Sequence, residues 1–249
     1  MHVRPRRVAL AALATSSLLL LTACNSDSSS GSGSGSEAKK GKATAAPSAP
    51  AHITEAQAEQ ALVALEDLPA GWKMEANTST DKSHGAEDDM VTGVTGECAP
   101  IAGILNSGRL EEDYKANRER VFTKGDGQNL LAQVVNGYPR AQAEKSMAGL
   151  RNAVEKCATF TGKQDGKKAT VTVKKTADQQ KYGDESITYT VRVVAGDTQM
   201  DFDLGSIRSH GAISTILNNY GNGDRGKDAF SKALAKAAEK LTAAAAKTA

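Results

Sequence analysis

The sequence predicts an α+β fold, a mostly antiparallel sheet of about six strands flanked by helices. Three observations carry this. Ile187, Tyr189, Val191 and Val193 alternate with polar residues, and after the turn pair Gly196-Asp197, Met200, Phe202 and Leu204 alternate again. Met147, Leu150, Val154 and Cys157 recur at helical spacing behind Pro139. A last helical stripe, Phe230, Leu234, Ala238 and Leu241, closes the chain. Strands joined by tight turns, with helices at the ends and one in the middle, form layers of this kind.

The first 51 residues stand apart from that pattern. MHVRPRR carries three arginines and no acid, Val8 to Ala23 is largely apolar, and Leu21-Thr22-Ala23-Cys24 ends the run. A basic start, a short apolar stretch and small residues before a cut make a secretory signal, residues 1–23, too short to span a bilayer of about 20 apolar residues. The Leu-Thr-Ala-Cys ending resembles a bacterial lipobox. That resemblance implies a diacylglyceryl thioether, of palmitate type, on Cys24 and a membrane anchor through it; two acyl chains hold durably. Residues 24–51, rich in Ser, Gly, Ala and Pro, read as a disordered tether with a reach of roughly 28 Å. Without the leader the chain has 28 basic and 29 acidic side chains, net −1. No basic field remains to argue for nucleic acid.

The domain is placed at 52–245. Thr54 with Gln57 fits a capping box, opening a helix with Ala58, Ala61, Leu62 and Leu65 on one face. Leu68-Pro69-Ala70-Gly71-Trp72 stops it, with Trp72 as a packing anchor. The polar run 75–93 holds His84, Glu87, Asp88 and Asp89, but its spacing fits neither a calcium loop nor a zinc site, so no metal is expected. Pro100 starts a short helix carrying Ile101, Ile104 and Leu105. Arg118 to Lys124 reads as a strand, and Lys124-Gly125-Asp126-Gly127 turns it into Leu130 to Val135, apolar on both faces and therefore central. The Pro139 helix follows, then strands at Thr170–Lys174, 187–193, 200–204 and 213–217. A turn at Arg208-Ser209-His210-Gly211 precedes the last of these, and a final helix spans Lys227 to about Ala245.

Three cysteines are present. With Cys24 committed to lipid in an extracytoplasmic chain, Cys98 and Cys157 are expected to pair. The rival, a free nucleophilic Cys157, suits neither an apolar stripe nor a sequence without a nearby His. The adjacent pairs Ser83-His84 and Ser209-His210 are poorly placed for catalysis, because sequence neighbours seldom face one another as base and nucleophile. No nucleophile elbow, phosphate loop or cofactor motif occurs, so neither catalysis nor a cofactor is expected.

Residues 53–243 resemble the PknH-type extracellular sensor-domain family, found on actinobacterial receptor kinases and on stand-alone lipoproteins. The likeness lies in Leu68-Pro69-x-Gly71-Trp72, Cys98, Gln133-Val134-Val135 with Tyr138-Pro139, and Cys157. Gly183-Asp184-Glu185, Arg208-x-x-Gly211 and the closing Lys240-Leu241 continue it. It implies an antiparallel sheet flanked by helices and a cleft for an unidentified ligand. The family pattern carries four cysteines in two disulfides, of which this chain matches two positions. The expected function is a membrane-anchored lipoprotein with a non-catalytic ligand-binding or sensory domain, taking a small or envelope-derived ligand in a cleft lined by Tyr189, Val191, Phe202 and Arg208. The alternative is a structural or interaction module of the cell envelope.

Overall fold

Helix α1, Glu55–Gln60, begins as expected: the Thr54 hydroxyl accepts the Gln57 N–H (3.2 Å), and the Gln57 side chain accepts the Thr54 N–H (2.8 Å). It ends five residues earlier than its apolar stripe predicts. The buried Gln133 amide claims the backbone there, accepting from Val63 N–H (2.6 Å) and donating to Ala61 C=O (3.1 Å). A tertiary partner thus outbids the next helical turn. The structure, a computed structural model, describes residues 52–75, 89–125, 127, 129–177, 179–220 and 226–248, all within one unit, Ala46–Ala249. The leader, Cys24, the tether, His84, Glu87, Asp88 and Ser83 lie outside the described residues.

The sheet has eight strands rather than six: β1 Lys73–Met74, β2 Ala116–Lys124, β3 Asn129–Gly137, β4 Thr159–Gln164, β5 Lys167–Lys175, β6 Glu185–Ala195, β7 Thr198–Ser209 and β8 Ala212–Tyr220. Their order is β1-β2-β3-β8-β7-β6-β5-β4, every neighbouring pair antiparallel. The two strands that sequence reading misses are the edges. β1 is two residues long, and β4 (TFTGKQ) has one large apolar side chain, so neither shows an alternating stripe. Edge strands bury little and need no such stripe.

The remaining helices are α2 Ala99–Ser107, α3 Arg140–Lys156 and α4 Lys227–Ala245. Pro100 sits in the first turn of α2, and Gly108 ends it in the left-handed region (φ 66°). Helices α1 and α4 cover one face of the sheet; α2 and α3 cover the other. Two cores result. Under α1 and α4 lie Trp72, Phe122, Leu131, Val135, Ile207, Phe230 and Leu234. Under α2 and α3 lie Tyr138, Met147, Leu150, Val171, Tyr189, Phe202 and Leu204. Cys98 before α2 is joined to Cys157 at the end of α3, with Cα atoms 5.8 Å apart. Among the described residues, no helix is long and apolar enough to cross a membrane.

Candidate functional site

Side chains alternate across a strand, so β6 and β7 each serve both faces. Odd residues of β6 and even residues of β7 point under α3. Thr188 and Thr190 of β6 and Asp203 of β7 point the other way, toward α4. Sequence alternation marks these three as the solvent side. The structure instead makes them the floor of a pocket of about 300 Å³.

The second wall is the first part of α4, which contributes Lys227, Phe230, Ser231 and Leu234. Gly205 sets how closely this helix sits: a Cβ there would come within 2.4 Å of Leu234 Cδ2. Beneath the helix start, Trp72 packs against Gly226, which caps α4 in the left-handed region (φ 57°). The third wall is the segment between β5 and β6, with Thr176, Gln180 and Tyr182. Gln179 fastens it: its amide nitrogen donates to Thr188 C=O (2.7 Å), and its oxygen accepts Thr188 N–H (2.9 Å). One side-chain amide so continues the ladder that β5 leaves off. Tyr182 donates its N–H to Ser186 Oγ (2.9 Å) and its hydroxyl to Gln180 (2.7 Å); burial raises its phenol pKa.

The floor and walls combine hydroxyls, an amide and a carboxylate with two aromatic rings and Leu234. Asp203 is only 7% exposed. Such a mixture binds a molecule with both apolar faces and hydrogen-bonding edges. A second hollow of about 290 Å³ adjoins it, sharing Thr190 and lined by Thr172, Lys174, Arg192, Asp201 and Tyr220. On the α3 side a separate hollow of about 250 Å³ is walled mainly by Ile104, Leu105, Val121, Leu130, Val134 and Leu217.

Of the residues expected to line a cleft, Tyr189 borders the first hollow and Val191 the second, while Phe202 and Arg208 border neither. Val191 and Phe202 face one another in register and are buried under α3, 2% and 0% exposed. Tyr189 lies among them in the same core, touching the pocket only from its place between Thr188 and Thr190. Burial pushes its phenol pKa well up, and its hydroxyl has no hydrogen-bond partner among the described residues. Arg208 shares that face but sits at its end, as the hub of an ion-pair network. Its guanidinium reaches Asp184 (3.2 Å), Glu185 (3.3 Å) and Glu144 (3.8 Å), and donates to His210 C=O (3.2 Å). Asp184 also accepts the His210 N–H (2.7 Å); that bond first, then the His210 and Arg208 charges, lowers its pKa against the opposing effect of burial. The alternation thus places these residues together correctly but does not tell which face holds the cavity. The sequence signal for the other face is Gly205, an interior strand glycine marking close approach of another element.

Ser209 and His210 also come with an acid. Ser209 Oγ lies 3.4 Å from His210 Nδ1, and Asp184 lies 3.9 Å from the same nitrogen. A relay needs the nucleophile on one ring nitrogen and the orienting acid on the other. Here both compete for Nδ1, so the trio has the geometry of a turn clamp. Among the described residues no cluster of three or more His, Cys, Asp or Glu could hold a metal ion.

No protein-family model matches the chain, and no curated protein matches it by sequence. Among solved structures it is similar to the crystal structure of the extracellular domain of PknH from Mycobacterium tuberculosis. The two share 16% identity with a TM-score of 0.53, over 77% of this chain and 97% of that one. At that identity the likeness shows the fold, an antiparallel sheet with flanking helices.

Proposed function

We propose that the chain is a lipid-anchored extracytoplasmic protein whose domain is a non-catalytic ligand-binding or sensory module, with its ligand between β6, β7 and the start of α4. The observation that carries this is the pocket itself: a buried carboxylate and threonine hydroxyls on a rigid sheet, facing two aromatic rings on separate elements. The fold shared with an extracellular domain supports the location. The Leu-Thr-Ala-Cys ending supports the anchor.

Two experiments test the reading. Cys24→Ser is expected to move the protein from the membrane fraction to the soluble one; a variant still sedimenting with membranes contradicts the anchor. Protein isolated under native conditions is expected to melt higher than the same protein stripped in denaturant and refolded, since a ligand at a hundredfold its Kd adds about 2.7 kcal/mol. Ser231→Trp, which fills the pocket from an exposed helix position, is expected to abolish that difference. Equal melting of native and stripped wild-type protein contradicts the ligand.

A further inference from the structure

We infer that the site continues out of this pocket across the open half of the sheet, and that its ligand is a strand of acidic polysaccharide. This rests on the ligand-binding reading of the pocket and names the class of molecule it takes.

The continuity is geometric. Helix α4 lies over β7 and β8, and α1 over β2 and β3. On the same face the outer strands are open, with Thr161, Lys163, Lys168, Lys174 and Arg192 exposed. Register orders that surface into rows. Thr159, Thr172, Arg192 and Asp201 stand side by side, Thr161 stands beside Thr170, and Lys163 beside Lys168. The row Lys174, Thr190, Asp203 runs into the pocket floor. Because Thr190 lines both hollows, the path from Phe230 to Lys174 is unbroken.

Among the described residues the charge on this surface is predominantly positive. Lys163, Lys168 and Lys174 pair with no carboxylate among the described residues, and Arg192 is held by Asp201 (2.6 Å). Among the described residues, Asp201 and, at the pocket floor, Asp203 are the acids on these rows. A whole chain close to neutral thereby presents a cationic strip, which attracts an extended anion and does so less at high salt. Lys168 and Lys174 are six residues apart on one strand, about 20 Å, so the strip suits a polymer better than an isolated anion.

Threonines fill the positions between the cations, offering hydroxyls that hydrogen-bond in either sense. At the pocket end the rings of Tyr182 and Phe230 offer an apolar wall beside Asp203, a hydrogen-bond acceptor. Hydroxyls, a carboxylate and aromatic walls fit a sugar ring; the lysines, as point charges, fit acidic groups spaced along a chain.

The test uses the full chain carrying Cys24→Ser, titrated with oligogalacturonate, a hyaluronan oligosaccharide, a neutral maltooligosaccharide and inorganic polyphosphate. At least one acidic glycan is expected to bind, with affinity falling by about tenfold or more between low and physiological salt. The pair Lys168→Thr, Lys174→Thr is expected to weaken it about tenfold, and Ser231→Trp to weaken it independently of salt. Failure of both acidic glycans to bind overturns the inference, as does equal binding of the neutral glycan. Polyphosphate binding that matches the glycans and ignores Ser231→Trp overturns it in favour of simple charge attraction. If neither glycan binds while native protein still melts above stripped protein, the pocket reading stands and the polysaccharide does not.

Discussion

Gln133 is a fully buried amide between Leu131 and Val135 on one face of the central strand β3, and its side chain holds three groups. It accepts from Val63 N–H and donates to Ala61 C=O and Ser214 Oγ (3.0 Å). These bonds hold the chain after α1 against β3 and β8. Gln133→Leu keeps comparable volume but strands a buried N–H and C=O, a loss of about 2–3 kcal/mol. Urea unfolding is expected to show a lower midpoint with unchanged slope; an unchanged midpoint contradicts this role. Asp67 shows a second residue-scale effect. Burial alone would raise its pKa, but the Lys240 ammonium (2.6 Å) and the Ala64 N–H (2.8 Å) outweigh it, and the net direction is down. A carboxyl whose folded pKa is depressed contributes stability above its unfolded value, near 3.8, and loses it as pH falls through the folded pKa. Asp67→Asn is therefore expected to reduce stability at neutral pH and to flatten the acid side of the stability profile. An acid limb as steep as wild type contradicts this.

At the scale of elements, the disulfide ties the start of α2 to the end of α3 across 59 residues. In the chain-entropy account such a link is worth about 4 kcal/mol. The double variant Cys98→Ala, Cys157→Ala is expected to unfold at correspondingly lower denaturant, and non-reducing peptide mapping of the native protein to recover Cys98 joined to Cys157. Two free thiols in native protein contradict it. The elements also divide by how legible they are in sequence. Strands β3 and β5 to β8 and helices α2, α3 and α4 show themselves, because each buries a stripe whose spacing is set by its own backbone, and β2 is legible from the glycine turn that leads it into β3. The edge strands bury too little to leave one. Helix α1 stops where a side chain 70 residues away claims its backbone, and no local pattern records that.

Over the whole molecule, one sheet carries two cores, and α4 and α1 cover only part of their face. That arrangement creates the candidate site, and it explains why the site was hardest to read. Alternation assigns Tyr189, Val191, Phe202 and Arg208 to one face and Thr188, Thr190 and Asp203 to the other. Whether the polar side of β6 and β7 retains a pocket depends on where α4 lands, and Leu234 against Gly205 and Trp72 beside Gly226 set that position. Apolar side chains signal burial under α3; the polar ones opposite signal only that they are not core. A buried acid at the floor of a hollow is therefore visible only once the helix is in place.

The proposed function requires that this hollow hold a ligand. Native mass spectrometry of gently purified wild-type protein beside Ser231→Trp tests it most directly. The expected result is one additional mass per wild-type chain, lost on denaturation and missing from the variant. A wild-type chain at its bare mass, or an additional mass retained equally by Ser231→Trp, would contradict the assignment of the site.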